Sequence, residues 1–492
     1  MSSSPAVGHP PADRSLPSAT LVRLAPGVRS WASASAIIGG SPWRISRMSG
    51  AARTLVSNLL ISGASGVAAK SRQELAIFRL LVDRGFAIVV PATPVTTASI
   101  STVIPAMDRP LNLARALMSL TSTPDVTVVD DGSVDPEAIC VVAKKHAVNL
   151  ISHSDNKGPA AARNTGVSAS EAEFIAFLDS DCVAPPGWPA SMLHHFNDPA
   201  VAAVAPRVRA NLSGRSVIER YEASSSSLDM GEYPELVRPG SRLSFVPSAA
   251  LIVRRSAIGD GFDEDMRMGE DVDLIWRLTD AGWHIRYDPS IIVAHEIRSN
   301  PYEWLKRRFE YGTSAAALSV RHPAKITPAR VSALNLATLG LAALGCWRTS
   351  FAVAAVSTFA LSRQLKALDD PQALSAQIIS KGVLADAAGI GHLLRREWWP
   401  IGALALTLSS RSRLARASAL CMLTPIAWEY AARRPALDPG RYLALRLVAD
   451  ASYGAGVMAS CLRARTRVPL TPSIIIPHWI AVLKSQLPTR LS

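Results

Sequence analysis

Acidic residues stand directly behind several apolar runs of this 492-residue sequence, where they could hold a cation or a polar ligand. Asp179 and Asp181 follow the run Phe-Ile-Ala-Phe-Leu, and alternate residues of an extended chain point to the same side. Two carboxylates that face one spot suit a hard divalent ion, Mg²⁺ or Mn²⁺, which also binds phosphate oxygens. His295 ends another apolar run and is an acceptable third ligand. A lone D-x-D pair is common and an isolated histidine is usually structural, so this metal-site prediction depends on the neighbouring motifs.

Two further motifs carry the residue types that a nucleoside diphosphate needs. Asp130 and Asp131 end the run Val-Thr-Val-Val and precede Gly-Ser, so their oxygens can accept hydrogen bonds from a uracil N–H or from ribose hydroxyls. The alternative is an ordinary Asp-Gly turn. Gly158 permits close backbone approach at the start of a helix, whose free amides favour anions, and Lys157 and Arg163 add positive charge toward a diphosphate. The alternative for this second motif is a tight loop packed on a sheet.

A helix start supplies the candidates for a general base. The apolar residues after Glu270 and Asp271 share one helical face, which places both acids in the first helical turn. Acids in that position can simply complement the helix dipole, and Asp273 and Arg277 have the spacing of a structural pair. A transfer reaction also needs a base that takes the proton of the incoming hydroxyl. We predict Asp271 in this role, with Glu270 as the second candidate.

The elements that must position these residues are buried strands that alternate with helices over residues 98–325. This pattern is typical of an α/β unit with a Rossmann-like, mostly parallel sheet. The carboxyl ends of such strands share one edge, where helix N-termini and loop amides also converge. We therefore expect the acids, although distant along the chain, to gather at one edge of the sheet.

The regions on either side have different compositions. Residues 1–19 are rich in Ser, Pro and Ala and are predicted to form a disordered lead-in. Residues 20–92 contain short strand-like pieces and two helical patterns, which predict a small winged-helix-like α/β unit. A linker is predicted behind this unit at Pro91, Pro94 and Thr96-Thr97.

Residues 326–492 are apolar and predicted to be helical, with uncharged stretches such as VSALNLATLGLAALGCW separated by arginines. A spanning helix needs about 20 apolar residues, and only the first stretches approach that length, so buried, interfacial and transmembrane helices remain open. Arginines beside apolar runs predict association with the cytoplasmic face of the cell membrane. The net charge is +13, but no basic block interleaves with aromatics, so we favour a membrane surface and a nucleotide over nucleic acid as partners.

An ordered set of segments resembles family 2 glycosyltransferases with the GT-A fold: STVIPAMDRP, VVDDGS, DNKGPAAARNTG, FLDSD, FVPSAALIVRR, GEDVDLIWRL and VAH. The resemblance implies transfer of a sugar from a nucleotide donor by direct displacement, with inversion of the anomeric centre. It implies Asp271 as the base and a metal held by Asp179, Asp181 and His295. The nucleotide-sugar site that it implies comprises Pro105, Asp130, Asp131, Lys157, Gly158, Arg163 and Asp179.

A narrower resemblance extends to both flanking regions. The segments GGSPWRISRMS, RRFEYGTSAAALSVRHP and LDPGRYLALRLVADASYGAGV are similar to the glycosyltransferases of actinobacterial mycofactocin systems. This implies addition of β-1,4-linked glucose from UDP-glucose to a peptide-derived redox cofactor precursor, and an N-terminal unit like small peptide-recognition domains. One alternative is a membrane glycosyltransferase for a cell-wall polysaccharide or a lipid-linked acceptor. An alternative of another class is a non-catalytic nucleotide-sugar-binding protein.

Overall fold

In the computed structural model of the chain, three regions of structure follow one another along the sequence. The structure describes residues 4–91, 98–121, 123, 125–211, 216–297 and 299–476. Pro94 and Thr96-Thr97 of the predicted linker therefore lie outside the described residues.

The N-terminal region is a small α/β unit with its own apolar core. Strand β1 lies between β5 and β6 in one antiparallel sheet, and β2, β3 and β4 form a second. The Ser71 side chain accepts a hydrogen bond from the Glu74 amide and starts α2, whose apolar face, including Phe78, packs into the core. The elements are β1 Leu21–Leu24, β2 Arg29–Trp31, β3 Ala36–Gly39, β4 Arg44–Arg47, α1 Gly50–Ser62, β5 Val67–Ala68, α2 Arg72–Asp83 and β6 Ala87–Val89.

Residues 4–19 of the predicted lead-in contact other parts of the chain at several positions. Gly8 exchanges backbone hydrogen bonds with the central region, since its amide donates to the Ala257 carbonyl and its carbonyl accepts from the Trp283 indole. Leu16 is buried in the core of the N-terminal unit.

The central region is built on a nine-stranded sheet with the order β11-β15-β12-β14-β10-β7-β8-β9, to which β13 adds at β15. Apolar side chains on both faces form two large cores. The elements are β7 Ile100–Ala106, α3 Pro110–Ser119, β8 Val126–Asp130, α4 Pro136–Lys145, β9 Asn149–Ser152, α5 Pro159–Ser168, β10 Phe174–Leu178, β11 Cys182–Val183, α6 Trp188–Met192, β12 Val201–Ala210, α7 Val217–Ser225, β13 Glu235–Val237, β14 Ala250–Arg254, α8 Arg255–Ile258, α9 Glu270–Asp280, β15 His284–His295 and α10 Pro301–Arg321.

The sheet is mixed, so the prediction of a mostly parallel sheet needs correction. Strand β14 runs antiparallel to both of its neighbours, β10 and β12, and the short β11 and β13 are antiparallel to β15. The chain enters β14 from the edge at which β10 ends, as the hydrogen bond from the Asp179 amide to the Ala249 carbonyl shows. This reversal leaves the carboxyl ends of β7, β8, β10, β12 and β15 at one common edge.

The C-terminal region is helical, as predicted, and packs on the central region through α10. Glycines make this contact close, because a Cβ on Gly312 would lie 2.1 Å from the Tyr453 carbonyl oxygen and one on Gly456 would lie 2.0 Å from that of Phe309. Across the described residues, we find no helix with the length and apolar character that a membrane crossing requires. The elements are β16 Arg330–Ser332, α11 Ala333–Ala343, α12 Trp347–Gln364, α13 Pro371–Arg395, α14 Trp399–Thr407, α15 Arg413–Arg433, α16 Pro439–Ala464 and β17 Ser473–Ile475.

Candidate active site

A cavity of about 1190 Å³ opens at the edge where the strands end, and the C-terminal helices form its opposite wall. This volume exceeds the usual range of a small-molecule site, about 300–1,000 Å³, so two ligands can be held side by side. Acids that are far apart in the sequence meet at the strand-end side, as the sequence predicts. Those that line the cavity are Asp108, Asp131, Asp179, Asp181, Glu270 and Asp271.

A buried arginine joins two of the predicted site acids. Arg163, on α5, donates from Nη2 to Asp179 Oδ1 at 2.8 Å and from Nη1 to Glu270 Oε1 at 2.9 Å. Burial opposes the charged form, but the two carboxylates raise the pKa of Arg163 above its usual range. Arg163 was predicted to face a diphosphate, and here its guanidinium is shared by two acids. It therefore fixes the spacing between the D-x-D motif and the helix that carries the candidate base.

The second acid of the D-x-D motif lies beside the predicted histidine. Asp181 Oδ1 is 3.5 Å from His295 Nε2, and its Oδ2 is 3.5 Å from Arg109 Nη1. The pairing of β11 with β15, which sets Cys182 opposite His295, brings them together. Burial opposes protonation, but Asp181 and then Asp179 raise the pKa of His295. Two carboxylates and one imidazole facing a common cavity are a suitable donor set for Mg²⁺ or Mn²⁺.

Asp271 and Glu270 begin α9 and line the cavity together. Asp271 Oδ2 accepts a hydrogen bond from the Ser248 amide at 3.3 Å, whereas Glu270 accepts one from the Arg163 guanidinium. Burial and the repulsion between the two acids raise the pKa of Glu270, and burial raises that of Asp271. Of these two acids, Asp271 makes no hydrogen bond to a guanidinium of any described residue. This difference favours Asp271 as the proton acceptor.

The two acids behind β8 have different surroundings. Asp130 is buried, and its Oδ1 accepts hydrogen bonds from the Ser133 hydroxyl and amide, so it holds its own turn. Asp131 lines the cavity but also accepts from the amides of Lys157 and Gly158, at 2.9 and 2.8 Å. Gly158 has φ +101°, a left-handed conformation that favours glycine. Asp131 therefore shapes the loop that starts α5.

The remaining nucleotide-site candidates differ in their access to the cavity. Pro105 lines it at the end of β7. Asp130, Lys157 and Gly158 are not among the lining residues, and the Lys157 side chain is exposed. The contacts predicted for these three residues with uridine or diphosphate therefore remain predictions.

Another group of potential metal ligands lies away from this cavity. Within the described part of the chain, only His194, His195 and Asp288 bring three ligand atoms within 4.8 Å of one another. His195 Nε2 is 2.8 Å from Asp288 Oδ2, and burial lowers the pKa of His195 to about 4. None of the three lines the cavity. This group is a buried hydrogen-bonded cluster outside the cavity.

Sequence reasoning missed several basic residues of the cavity. Arg109 and Arg267 line it at the strand-end side, and Arg267 donates to Asn156 Oδ1 at 2.7 Å. Arg109 lies inside the quoted segment STVIPAMDRP and Arg267 lies two residues before GEDVDLIWRL, so their place at these motifs is the signal that could have found them. The charged wall contributed by the C-terminal helices includes Asp450 and Tyr453 of the quoted segment LDPGRYLALRLVADASYGAGV, but no role was predicted for it.

Comparison with known proteins agrees with the geometry. The profile described as "Glycosyl transferase family 2" matches residues 101–262. The pre-mycofactocin glycosyltransferase of Mycobacterium tuberculosis is 38% identical over 472 residues, which are 93% of this chain and 98% of that protein. The chain belongs to this family of glycosyltransferases. It is an enzyme of glycosyltransferase family 2 with a GT-A-type α/β fold.

Other proteins match this chain at lower sequence identity. Glycosyltransferase AglE of Haloferax volcanii is 28% identical over 232 residues, 44% of this chain and 73% of that protein. Among solved structures, a mannosyltransferase of Pyrobaculum calidifontis in complex with GDP-Man and Mn²⁺ is 15% identical and has a TM-score of 0.42. That match covers 75% of this chain and 89% of the other.

Proposed function

We propose that this glycosyltransferase moves a hexose, glucose in β-1,4 linkage, from UDP-glucose to the mycofactocin precursor. The observation that carries the proposal is the full-length similarity to the pre-mycofactocin glycosyltransferase, which includes both flanking regions and not only the catalytic core. The strand-end acids supply a site for a nucleotide-sugar at one side of the cavity. The alternatives of a lipid-linked acceptor and of a non-catalytic binding protein have no comparable observation in their favour.

The reaction that fits the site is a single displacement with inversion. Asp271 takes the proton of the acceptor hydroxyl as that oxygen forms its bond to the anomeric carbon of the sugar. The bond from the anomeric carbon to the diphosphate oxygen breaks, and UDP leaves with the bonding electron pair. Arg163 supports this step indirectly, because it occupies Glu270 and leaves Asp271 as the base.

The ligand types on the strand-end side suit a divalent cation. Asp179, Asp181 and His295 would hold Mg²⁺ or Mn²⁺, which supplies positive charge to the departing diphosphate when bound. Arg109 lies 3.5 Å from Asp181, so a guanidinium also stands close to that position. Asp131 and Pro105 would border the nucleoside at the ends of β7 and β8.

The decisive experiment combines purified enzyme, Mn²⁺ and UDP-glucose with small-molecule extracts of a mycofactocin-producing strain that lacks this gene. Mass spectrometry should then show hexose increments on one small molecule, absent when EDTA replaces Mn²⁺. Increments on lipid extracts instead would support the lipid-linked alternative. UDP binding without transfer or hydrolysis would support the non-catalytic alternative.

We further propose that the C-terminal region rests on the cytoplasmic face of the cell membrane. Support comes from exposed apolar side chains along α12, where Trp347, Phe351 and Phe359 are 69%, 76% and 61% exposed, together with the neighbouring Arg348. Such a surface suits the interface of an anionic bilayer. The enzyme should co-sediment with vesicles that contain phosphatidylglycerol. The double variant Trp347→Ser, Phe351→Ser should no longer co-sediment with them. Val141→Ser, at an exposed apolar position of α4, is the matched control. Equal sedimentation of all variants would contradict the proposal.

A further inference from the structure

The cavity wall opposite the strand ends is built by the C-terminal helices and α10. Arg396 and Glu397 lie between α13 and α14, and Asp450 and Tyr453 lie on α16; all four line the cavity. The backbones meet closely here, because a Cβ on Gly454 would lie 1.8 Å from the Arg396 carbonyl oxygen. We call these four residues the helical wall. Its position is therefore fixed by main-chain contact and not only by side-chain packing.

One buried carboxylate oxygen of the helical wall has no hydrogen-bond partner. The Glu397 side chain is 8% exposed, and its Oε2 makes no hydrogen bond to any described residue. Its other oxygen lies 3.7 Å from Arg396 Nε. A buried polar atom without a partner costs free energy unless a ligand or water supplies one. Because Glu397 lines the cavity, the partner that it lacks can come from a ligand with hydroxyl groups.

Beside Glu397, an arginine and a tyrosine form a flat platform. The guanidinium carbon of Arg396 lies 3.5 Å from the centre of the Tyr453 ring, and Arg396 Nη1 lies 3.3 Å from His392 Nε2. Burial lowers the pKa of His392 to about 3, so the imidazole is neutral and accepts this hydrogen bond. Aromatic faces pack well against flat ligand surfaces that carry polar groups at their edges.

The other charges around the helical wall are already neutralised in pairs. Arg446 lies 3.3 Å from Glu429 and 3.4 Å from Asp450, and Arg308 pairs with Glu222. A phosphate that approached Arg396 would also meet the nearby carboxylates of Glu397 and Asp450, which repel it. A purely apolar ligand would leave Glu397 without a partner. A neutral ligand rich in hydroxyls can donate to carboxylates and accept from guanidiniums without disturbing either.

We propose that the helical wall is a carbohydrate subsite that holds sugar units already attached to the acceptor while the next one is added. The inference rests on the proposed function, since it gives the second half of the cavity to the acceptor. According to this inference, the enzyme recognises the neutral glycan of the acceptor as well as the part of the acceptor to which the glycan is attached. The enzyme would therefore bind glycosylated acceptors more tightly than the unglycosylated one.

The test measures binding of cellotriose, a neutral β-1,4-linked glucan, to the full-length enzyme by calorimetry in the presence of UDP and Mn²⁺. Tyr453→Ala, which removes the platform, should raise the Kd for cellotriose at least tenfold, and Glu397→Gln should raise it severalfold. Tyr302→Ala and Glu303→Gln, both exposed on the first turn of α10 outside the cavity, are the matched controls. They should leave that Kd unchanged.

Several outcomes would overturn the proposal. The first is that the wild-type enzyme does not bind cellotriose, and the second is that all variants bind it with the same Kd. The third is that N-acetyltyrosinamide, a neutral phenol, competes with cellotriose for binding at the same concentration as the glucan. The Kd for UDP serves as the control for correct folding. If Tyr453→Ala raises the Kd for UDP, the Kd of Glu397→Gln for cellotriose decides whether the proposal holds. If the wild-type enzyme binds cellotriose through Tyr453 but does not use UDP-glucose, the proposed subsite stands and the proposed donor is wrong.

Discussion

The two sides of the cavity are charged in different ways. On the strand-end side, Arg163 is the shared hydrogen-bond partner of Asp179 and Glu270, and among the described residues Asp271 makes no hydrogen bond to a guanidinium. On the helical side, partners are redundant, since Asp450 lies near both Arg395 and Arg446. The first arrangement leaves acid groups available for a cation and a proton. The second resembles a polar surface that contacts a ligand without reacting with it.

The comparison implies that the two sides respond differently to loss of one arginine. Arg163→Ala removes the partner of the buried Glu270 and of Asp179, whose side chain is 31% exposed, and should lower the free energy of unfolding by about 3 kcal/mol. Arg446→Ala should lower it by only about 1 kcal/mol, because Asp450 keeps Arg395 and Glu429 keeps Arg433. Urea denaturation of both variants measures the difference. Similar losses would show that the redundancy on the helical side does not matter.

Removal of the candidate base should separate chemistry from binding. Asp271→Asn keeps the shape of the side chain but cannot take a proton, so transfer should fall by about 10² or more. The Kd for UDP should change little, because this residue lies at the start of α9 rather than on the nucleoside side. Turnover kinetics and UDP titration check both values. Losses of equal size in the two would assign Asp271 to donor binding instead.

The pH dependence of transfer should reflect the acid pair. Burial raises the pKa of Asp271 and, with the charge of Asp271, that of Glu270. A base must be ionised to act, so activity should fall as the pH drops through the raised pKa. Glu270→Gln removes one negative charge beside Asp271 and should move this acid limb of kcat/KM to lower pH. A limb that stays in place would mean that the two acids do not interact.

The smallest effect is expected on the helical side. Tyr453→Phe keeps the ring on which Arg396 stacks and removes only the hydroxyl. The Kd for cellotriose should therefore change by less than about twofold, well within the cost of one weak hydrogen bond. Calorimetry under the conditions used for the alanine variant checks this. A tenfold loss would assign recognition to the hydroxyl and not to the ring.

The strand-end side of the cavity could be predicted from the sequence much better than the helical side. The acids at the strand ends lie in short motifs, so their order along the chain indicated both the sheet and the site. The antiparallel insertion of β14 was missed because a buried strand has the same pattern in either direction. The pairing of Arg163 with Glu270 could not be inferred either, since Glu270 lies 107 residues away on another element. On the helical wall, Glu397 and Tyr453 are brought together by helix packing and share no local motif.

The close contact of α10 with α16 has a practical consequence for dividing this chain. A truncated protein that ends near residue 325, the predicted boundary of the catalytic region, would retain α10 but lose the helix that covers Gly312. Trp304 and Ala315, now buried against C-terminal residues, would meet water along one side of α10. Such a fragment would expose an apolar stripe and tend to aggregate. The smallest unit that can be expressed and assayed therefore includes the C-terminal helices.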